Sequence, residues 1–241
     1  MKSSRKKLYE GSTKILYQTE EDSTLIQFFK DDFVLNKKKT IEIDGKGAMN
    51  NSISAFIMQK LDLVGISTHL IEKINMREQC VQVVDVLPIQ VEVSNISYGR
   101  YVTQFGIKEG YVFNRPLVDF MVKNIANELP IINENQIMSF GWLTKKEIDF
   151  LTRQSIRVND FLSGLFAGHS MRLVSCKLEF GKVFSENQSV LMLADEISPD
   201  NCRIWDMNTN EKIDYEYVIK NPDKATYPYK EITKRLKLNL T

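Results

Sequence analysis

The chain has 241 residues, 43% of them hydrophobic and 26% charged, which is the balance of a folded globular protein and leaves one large domain or two lobes open. Thirty-two basic against 31 acidic residues leave a formal charge of +1, so bulk charge points to neither a nucleic acid nor a membrane surface. Three cysteines without CxxC spacing (Cys80, Cys176, Cys202) and two distant histidines (His69, His169) argue against a disulfide framework and a zinc site. Buried, reduced thiols in a cytoplasmic protein are expected. The basic start runs into Leu8-Tyr9-Glu10-Gly11 rather than an apolar stretch, so it does not read as a signal peptide, and no apolar run nears the ~18 residues of a membrane span.

In chain order, residues 14–17 and 24–29 are rich in aromatic and branched side chains and read as strands, with Glu20 to Ser23 as their turn. The polar, lysine-bearing segment 36–46 reads as a loop. Ile53, Phe56, Ile57, Leu61 and Val64 then recur at helical spacing over 50–63, closed by Gly65. Strands are expected at 69–74, 80–86 and 89–93, with Pro88 interrupting the last two as a hinge between lobes 1–88 and 89–241. Thr144-Lys-Lys-Glu147 is a capping box opening a long amphipathic helix that runs to Gly168. Two further strands, 172–180 and 190–197, are joined by a polar turn through 185–188. A strand-rich first half and a mixed second half predict an α+β fold of two lobes around a cleft.

Chemistry concentrates in Lys177-Leu178-Glu179-Phe180-Gly181 and, sixteen residues beyond the glutamate, in the acidic block that opens with Asp195. Alternation puts Lys177 and Glu179 on one strand face, and a hairpin would bring Asp195 toward Glu179. Two carboxylates and an ammonium at strand ends could hold magnesium and the phosphates of ATP, and equally could be ordinary surface salt bridges. Tyr9-Glu10-Gly11-Ser12-Thr13-Lys14 could turn over a phosphate but lacks the Walker pattern, and a plain strand turn explains it as well. The glycines of Gly45-Lys46-Gly47 precede a helix whose free amides could meet an anion or simply mark a loop entry. Lys37-Lys38-Lys39 is a solvated run or a mobile cationic loop.

In this order the blocks resemble one family, phosphoribosylaminoimidazole-succinocarboxamide synthase (SAICAR synthetase), over nearly the whole chain. The most specific are Phe29-Lys-Asp-Asp32, Asp44-Gly-Lys-Gly-Ala-Met-Asn-Asn51, Asn75-Met-Arg-Glu-Gln79, Phe105-Gly-Ile-Lys-Glu-Gly110, Asn159-Asp-Phe-Leu-Ser-Gly-Leu-Phe166, Lys177-Leu-Glu-Phe-Gly181 and Asp195-Glu-Ile-Ser-Pro-Asp200. The resemblance implies a sheet-rich ATP-binding lobe over a mixed α/β lobe, and a homodimer. It also implies a ligase that joins L-aspartate to carboxyaminoimidazole ribonucleotide (CAIR) with MgATP in purine biosynthesis. Carried over by position, Glu179 and Asp195 would hold Mg2+, while Gly11, Lys14 and Lys177 would meet the nucleotide. Ser94, Arg100 and Arg203 would bind the phosphorylated substrate, and Lys123 would sit with Lys177 at the reacting groups.

The chain departs from the family pattern at several of these places. Ser12 stands for a lysine, Phe33 to Asn36 is one residue short, Thr103 and Gln104 replace a basic pair, and Ile125, Leu129 and Ser175 stand where aspartates are usual. Ser94 and Arg100 read as an exchange, a hydroxyl and a cation at opposite ends of one turn. Two alternatives stay open on residues alone: an enzyme of this fold with another substrate, and a non-catalytic nucleotide-binding protein. Tyr217, Tyr227 and Tyr229 in the least family-like stretch read as packing residues.

Overall fold

The computed structural model describes residues 5–36, 39–123, 130–185 and 188–239. β1 (Lys7–Glu10), β2 (Lys14–Gln18) and β3 (Thr24–Phe29) form an antiparallel meander, because runs such as Thr24 to Phe29 suit a pleated surface. β4 (Asp32–Asn36) and β5 (Lys39–Glu42) pair with each other, and α1 (Lys46–Leu63) follows. β6 (Leu70–Lys73) and β7 (Glu78–Gln82) complete a sheet in the order β1-β2-β3-β7-β6.

Two expectations change here. Segment 36–46 is not a loop throughout, since Thr40 and Ile41 supply β-branched residues that pair with Val34 and Phe33; Lys37 and Lys38 lie outside the described residues. α1 begins at Lys46 rather than at 50, and its first amides do not await an external anion. Asp31 already caps them, accepting from Gly47 N at 2.8 Å and Gly45 N at 3.3 Å, and its carboxylate is held in turn by both terminal nitrogens of Arg77 at 2.8 and 2.6 Å. A cap from far up the chain leaves no Ser, Thr, Asp or Asn at the N-cap, which is Gly45 at φ 74°.

The second sheet begins with β8 (Asp85–Ile96). This strand runs through Pro88 without a break, so the expected interruption is absent. The proline lies opposite a register shift between Glu179 and Gly181, where a missing ladder donor is tolerated. α2 (Arg100–Thr103), β9 (Val112–Val122), β10 (Ile131–Ile132), α3 (Glu134–Ser139) and α4 (Lys145–Ala167) follow. β11 (Met171–Ser185), β12 (Gln188–Ala194), β13 (Cys202–Asp206), α5 (Tyr215–Lys220) and α6 (Tyr227–Arg235) complete the chain. Strand order is β10-β9-β8-β11-β12, with β13 also pairing β11. Thr144 caps α4 as expected, its side chain accepting from Glu147 N while Glu147 accepts from Thr144 N at 2.7 Å.

Alternation decides what each face of this sheet does. Val91, Val93, Phe120, Cys176, Leu178 and Ile204 form a core with Ile148, Leu151, Val158 and Leu162 of α4, which Ile53, Ile57 and Leu61 of α1 join. The residues between them, Gln90, Glu92, Ser94, Asp119, Ser175, Lys177, Glu179 and Arg203, share the other face. The two sheets meet where Thr68 bridges Leu193 and His69 N donates to Leu193 O at 2.8 Å. Cys176 and Cys202 are buried, directly opposed and unbridged; Cys80 is only partly buried. Among the described residues no helix is long and apolar enough to cross a membrane.

Candidate active site

A cavity of about 640 Å³ lies between the two sheets. Leu16 and Leu25 from the first sheet, with Val81, Val84 and Val86, give it an apolar end; Lys14, Lys123, Glu179, Asp195 and Glu196 give it a charged one. Gly11, Ser12 and Thr13 close its rim. An apolar slot ending in convergent charges is the general form of a small-molecule site.

At the charged end, β11 and β12 are in the register the sequence implies: Glu179 faces Ala194, so Asp195 is the next residue along. Asp195 adopts φ 63°, a left-handed conformation that costs a non-glycine residue about 1–3 kcal/mol and recurs at functional sites. Its carbonyl is held by Gln27 Nε2 at 3.4 Å and by His69 Nε2 at 3.0 Å. Because a carbonyl only accepts, His69 carries its proton on Nε2, and burial lowers its pKa to about 4, keeping it neutral.

Two ammoniums meet three carboxylates here. Lys14 Nζ pairs with Asp195 and donates to Glu196 Oε1 at 2.9 Å, while Lys123 Nζ pairs with Glu179. Burial opposes the charge on Lys14, yet the two carboxylates outweigh it and raise its pKa. The Glu179 carboxyl is pushed up by burial and by the negative charge of Asp195; that of Glu196 is pushed up mainly by burial. Glu196 Oε2 is buried and has no hydrogen-bond partner among the described residues. An excess of crowded carboxylate with an orphaned oxygen suits a hard divalent cation, and magnesium needs few protein ligands. Among the described residues no cluster of three or more potential metal ligands forms.

A second cluster lies further along the same face of β11, since Ser175 is four residues, or about 13 Å, from Glu179 with Lys177 midway. Glu92, nearly inaccessible, accepts from Tyr98 Oη and from Arg100 Nη1 at 2.9 Å. Asp119 accepts from Arg100 Nη2 and Tyr101 Oη, both at 2.6 Å. Ser175 donates to Tyr98 Oη at 2.9 Å, and the Ser94 hydroxyl, wholly buried, lacks a partner among the described residues. Burial lowers the pKa of Lys177, which faces Glu92 across the sheet with Arg203 and Arg100 as charged neighbours.

Gly11, Lys14, Lys123, Glu179 and Asp195 therefore line one cavity, whereas Ser94, Arg100, Lys177 and Arg203 gather on the adjoining sheet face. Ile125 and Leu129 lie outside the described residues. Glu92, Asp119, Glu196 and His69 were not singled out from the sequence. For Glu92 a signal exists: Gln90-Val-Glu92-Val-Ser94 alternates with period two, which marks the glutamate as a partner of Ser94 on one face. Glu196 lies in the acidic block that opens with Asp195, so its place was marked though its contacts were not; His69 gave no signal, because its partner comes from another element.

Comparison with known proteins bears on this arrangement. The sequence model of one family, described as SAICAR synthetase, matches residues 7–236. The chain is 55% identical over 233 residues to the phosphoribosylaminoimidazole-succinocarboxamide synthase of Rickettsia prowazekii (strain Madrid E), covering 97% of this chain and 99% of the relative. It is also similar to the crystal structure of the enzyme of that name from Ehrlichia chaffeensis, with TM-score 0.93, 40% identity and coverage of 97% and 99%. A SAICAR synthetase solved in complex with ADP matches with TM-score 0.87, 33% identity and coverage of 95% and 96%.

Proposed function

The chain belongs to the SAICAR synthetase family, and from that premise we propose that it is the ATP-dependent ligase joining L-aspartate to CAIR, giving SAICAR, ADP and phosphate in purine biosynthesis. The observation that carries the reading is the two-part site. An apolar slot ending in Lys14, Asp195 and Glu179 adjoins a sheet face where Lys177, Arg203, Arg100 and Ser94 gather.

In this reading the nucleotide occupies the cavity, its base against Leu16, Leu25 and Val81 and its phosphates toward Gly11 and Lys14, with Lys177 approaching from the adjoining sheet face; a 33% identical relative solved in complex with ADP supports nucleotide binding. Glu179 and Asp195 would hold Mg2+, which supplies charge neutralisation for the transferring phosphoryl group. A carboxylate is a poor acyl donor because oxide would have to leave. In the proposed sequence a CAIR carboxylate oxygen attacks the γ-phosphorus of ATP, the bond to ADP breaks, and the aspartate amine displaces phosphate from the acyl carbon with loss of a proton. Lys123, paired with Glu179 at the junction of the two parts, supplies positive charge to the reacting groups, as does Lys177. Arg203 would meet the CAIR phosphate, with Arg100, held by Glu92 and Asp119, and the buried Ser94 hydroxyl behind it on the same sheet face.

The reading includes two lobes, the expected 1–88 and 89–241 with the start of β8 passing to the second, a cytoplasmic location and a homodimer. The location is supported by three free thiols, and the dimer by exposed Phe105, Tyr111 and Val112 at one edge of the second sheet. The deciding experiment is product formation followed by mass detection with MgATP, CAIR and aspartate, each omitted in turn. SAICAR in the complete mixture alone is expected; binding of MgATP without SAICAR would overturn the reading.

A further inference from the structure

Two arginines on the polar face of the second sheet both lie over tyrosine rings, Arg100 over Tyr101 at 4.9 Å, but carboxylates take up the donors of only one. Arg100 is held by carboxylates, donating to Glu92 at 2.9 Å and Asp119 at 2.6 Å, and it also donates to Tyr101 Oη at 3.2 Å. Those bonds occupy much of its donor fork. Arg203 is held by aromatic rings. Its Cζ lies over Tyr215 at 4.7 Å and over Tyr98 at 6.0 Å from the ring centroids. The carboxylate paired with it among the described residues, Glu216, is 3.9 Å from Nε, and that nitrogen is buried without a hydrogen bond.

A ring face attracts a cation through its quadrupole and leaves the N–H donors in the guanidinium plane free. Arg203 is thereby oriented while its two terminal nitrogens stay open for a planar or tetrahedral oxyanion. Both rings are themselves anchored. The Tyr98 hydroxyl donates to Glu92 and accepts from Ser175. Tyr215 packs on Phe33 at 5.2 Å between centroids and opens α5 immediately after Asp214. The Asp214 carboxylate accepts from Glu216 N at 2.8 Å and from Ile204 N at 2.7 Å, and Ile204 is the residue after Arg203. One buried side chain therefore ties the start of α5 to the strand that carries the arginine.

We propose that Tyr98 and Tyr215 are positioning residues that hold the Arg203 guanidinium by its faces and present its donors to the phosphate of the acceptor nucleotide. This rests on the reading that Arg203 meets that phosphate. The test is steady-state kinetics of SAICAR formation, with KM for CAIR and for ATP measured separately. Tyr215→Leu is expected to raise the KM for CAIR about three- to thirtyfold, the span between a partly exposed and a desolvated cation–π contact, with kcat and the KM for ATP within about twofold. Tyr98→Leu should move the same constant in the same direction, and Tyr215→Phe should restore it, because the ring rather than the hydroxyl faces the arginine. In an Arg203→Ala background Tyr215→Leu should add less than about twofold, since the contact it removes is already gone. An unchanged KM for CAIR in both leucine variants, or a full additional rise in the Arg203→Ala background, overturns the proposal. Absence of SAICAR from the unaltered protein would instead overturn the functional reading, and the proposal with it.

Discussion

Asp200 joins α1 to α6 through three partners, and its removal should cost the protein a large share of its stability. Its Oδ2 pairs with Lys46 Nζ at 2.6 Å and accepts from Asn50 Nδ2 at 2.9 Å, while its Oδ1 accepts from Tyr229 Oη at 2.6 Å. Lys46 is 1% exposed, so Asp200→Ala strands a buried ammonium with no water to take over. Breaking a buried pair from one side costs about 3–5 kcal/mol. At roughly 2–4 °C per kcal/mol for a chain of this size, the melting temperature should fall by about 6–20 °C. Lys46→Met should be milder, about 1–2 kcal/mol, because Asp200 keeps its other two donors. Combining Lys46→Met with Asp200→Ala should recover part of the loss of Asp200→Ala alone, since no charge is then left unpaired. Urea denaturation with a constant slope, alongside thermal melts, measures all three. A loss below about 1 kcal/mol for Asp200→Ala, or a double variant no more stable than that single one, would refute the reasoning.

At the catalytic end, Glu179→Ala and Asp195→Ala should each lower SAICAR formation by at least about 10²-fold while circular dichroism stays unchanged; near-normal turnover in either would remove the metal assignment. Two buried groups should shape the acid side of the stability profile with opposite signs. His69, lowered by burial to about 4 from 6.5, is protonated first in the unfolded chain, so stability is lost as pH falls from about 6.5 to 4, and His69→Gln should flatten that loss. Asp214, raised by burial to about 6 from 3.8, is protonated first in the folded protein, so its effect is a loss of stability as pH rises from about 4 to 6. Asp214→Asn should remove that component, making the rise of stability over pH 4–6 steeper, and each change is worth up to about 3 kcal/mol. Parallel profiles for the variants and the unaltered protein would sink both assignments.

Much of the fold is legible along the chain because its signals are local. Lys177 and Glu179 share a face by the pleat of any strand, the Thr144–Glu147 capping box needs only four consecutive residues, and the central strands alternate wherever one face is buried. The ordered blocks also carried the family resemblance that the comparisons bear out. The sequence alone thus determined the class of fold, the hairpin that brings Asp195 to Glu179, and the kind of chemistry to look for.

Tertiary structure decided which charge meets which. Asp31 caps a helix that begins fifteen residues later, and Pro88 sits harmlessly inside β8 because a register shift lies opposite it. Arg100 and Arg203 are indistinguishable as residues, yet carboxylates occupy much of the donor fork of one and leave the other's two terminal nitrogens open. Such outcomes depend on strand register and on elements packed from distant parts of the chain, at separations where an ångström selects the partner. Period and propensity act within a few residues and carry no information about that distance.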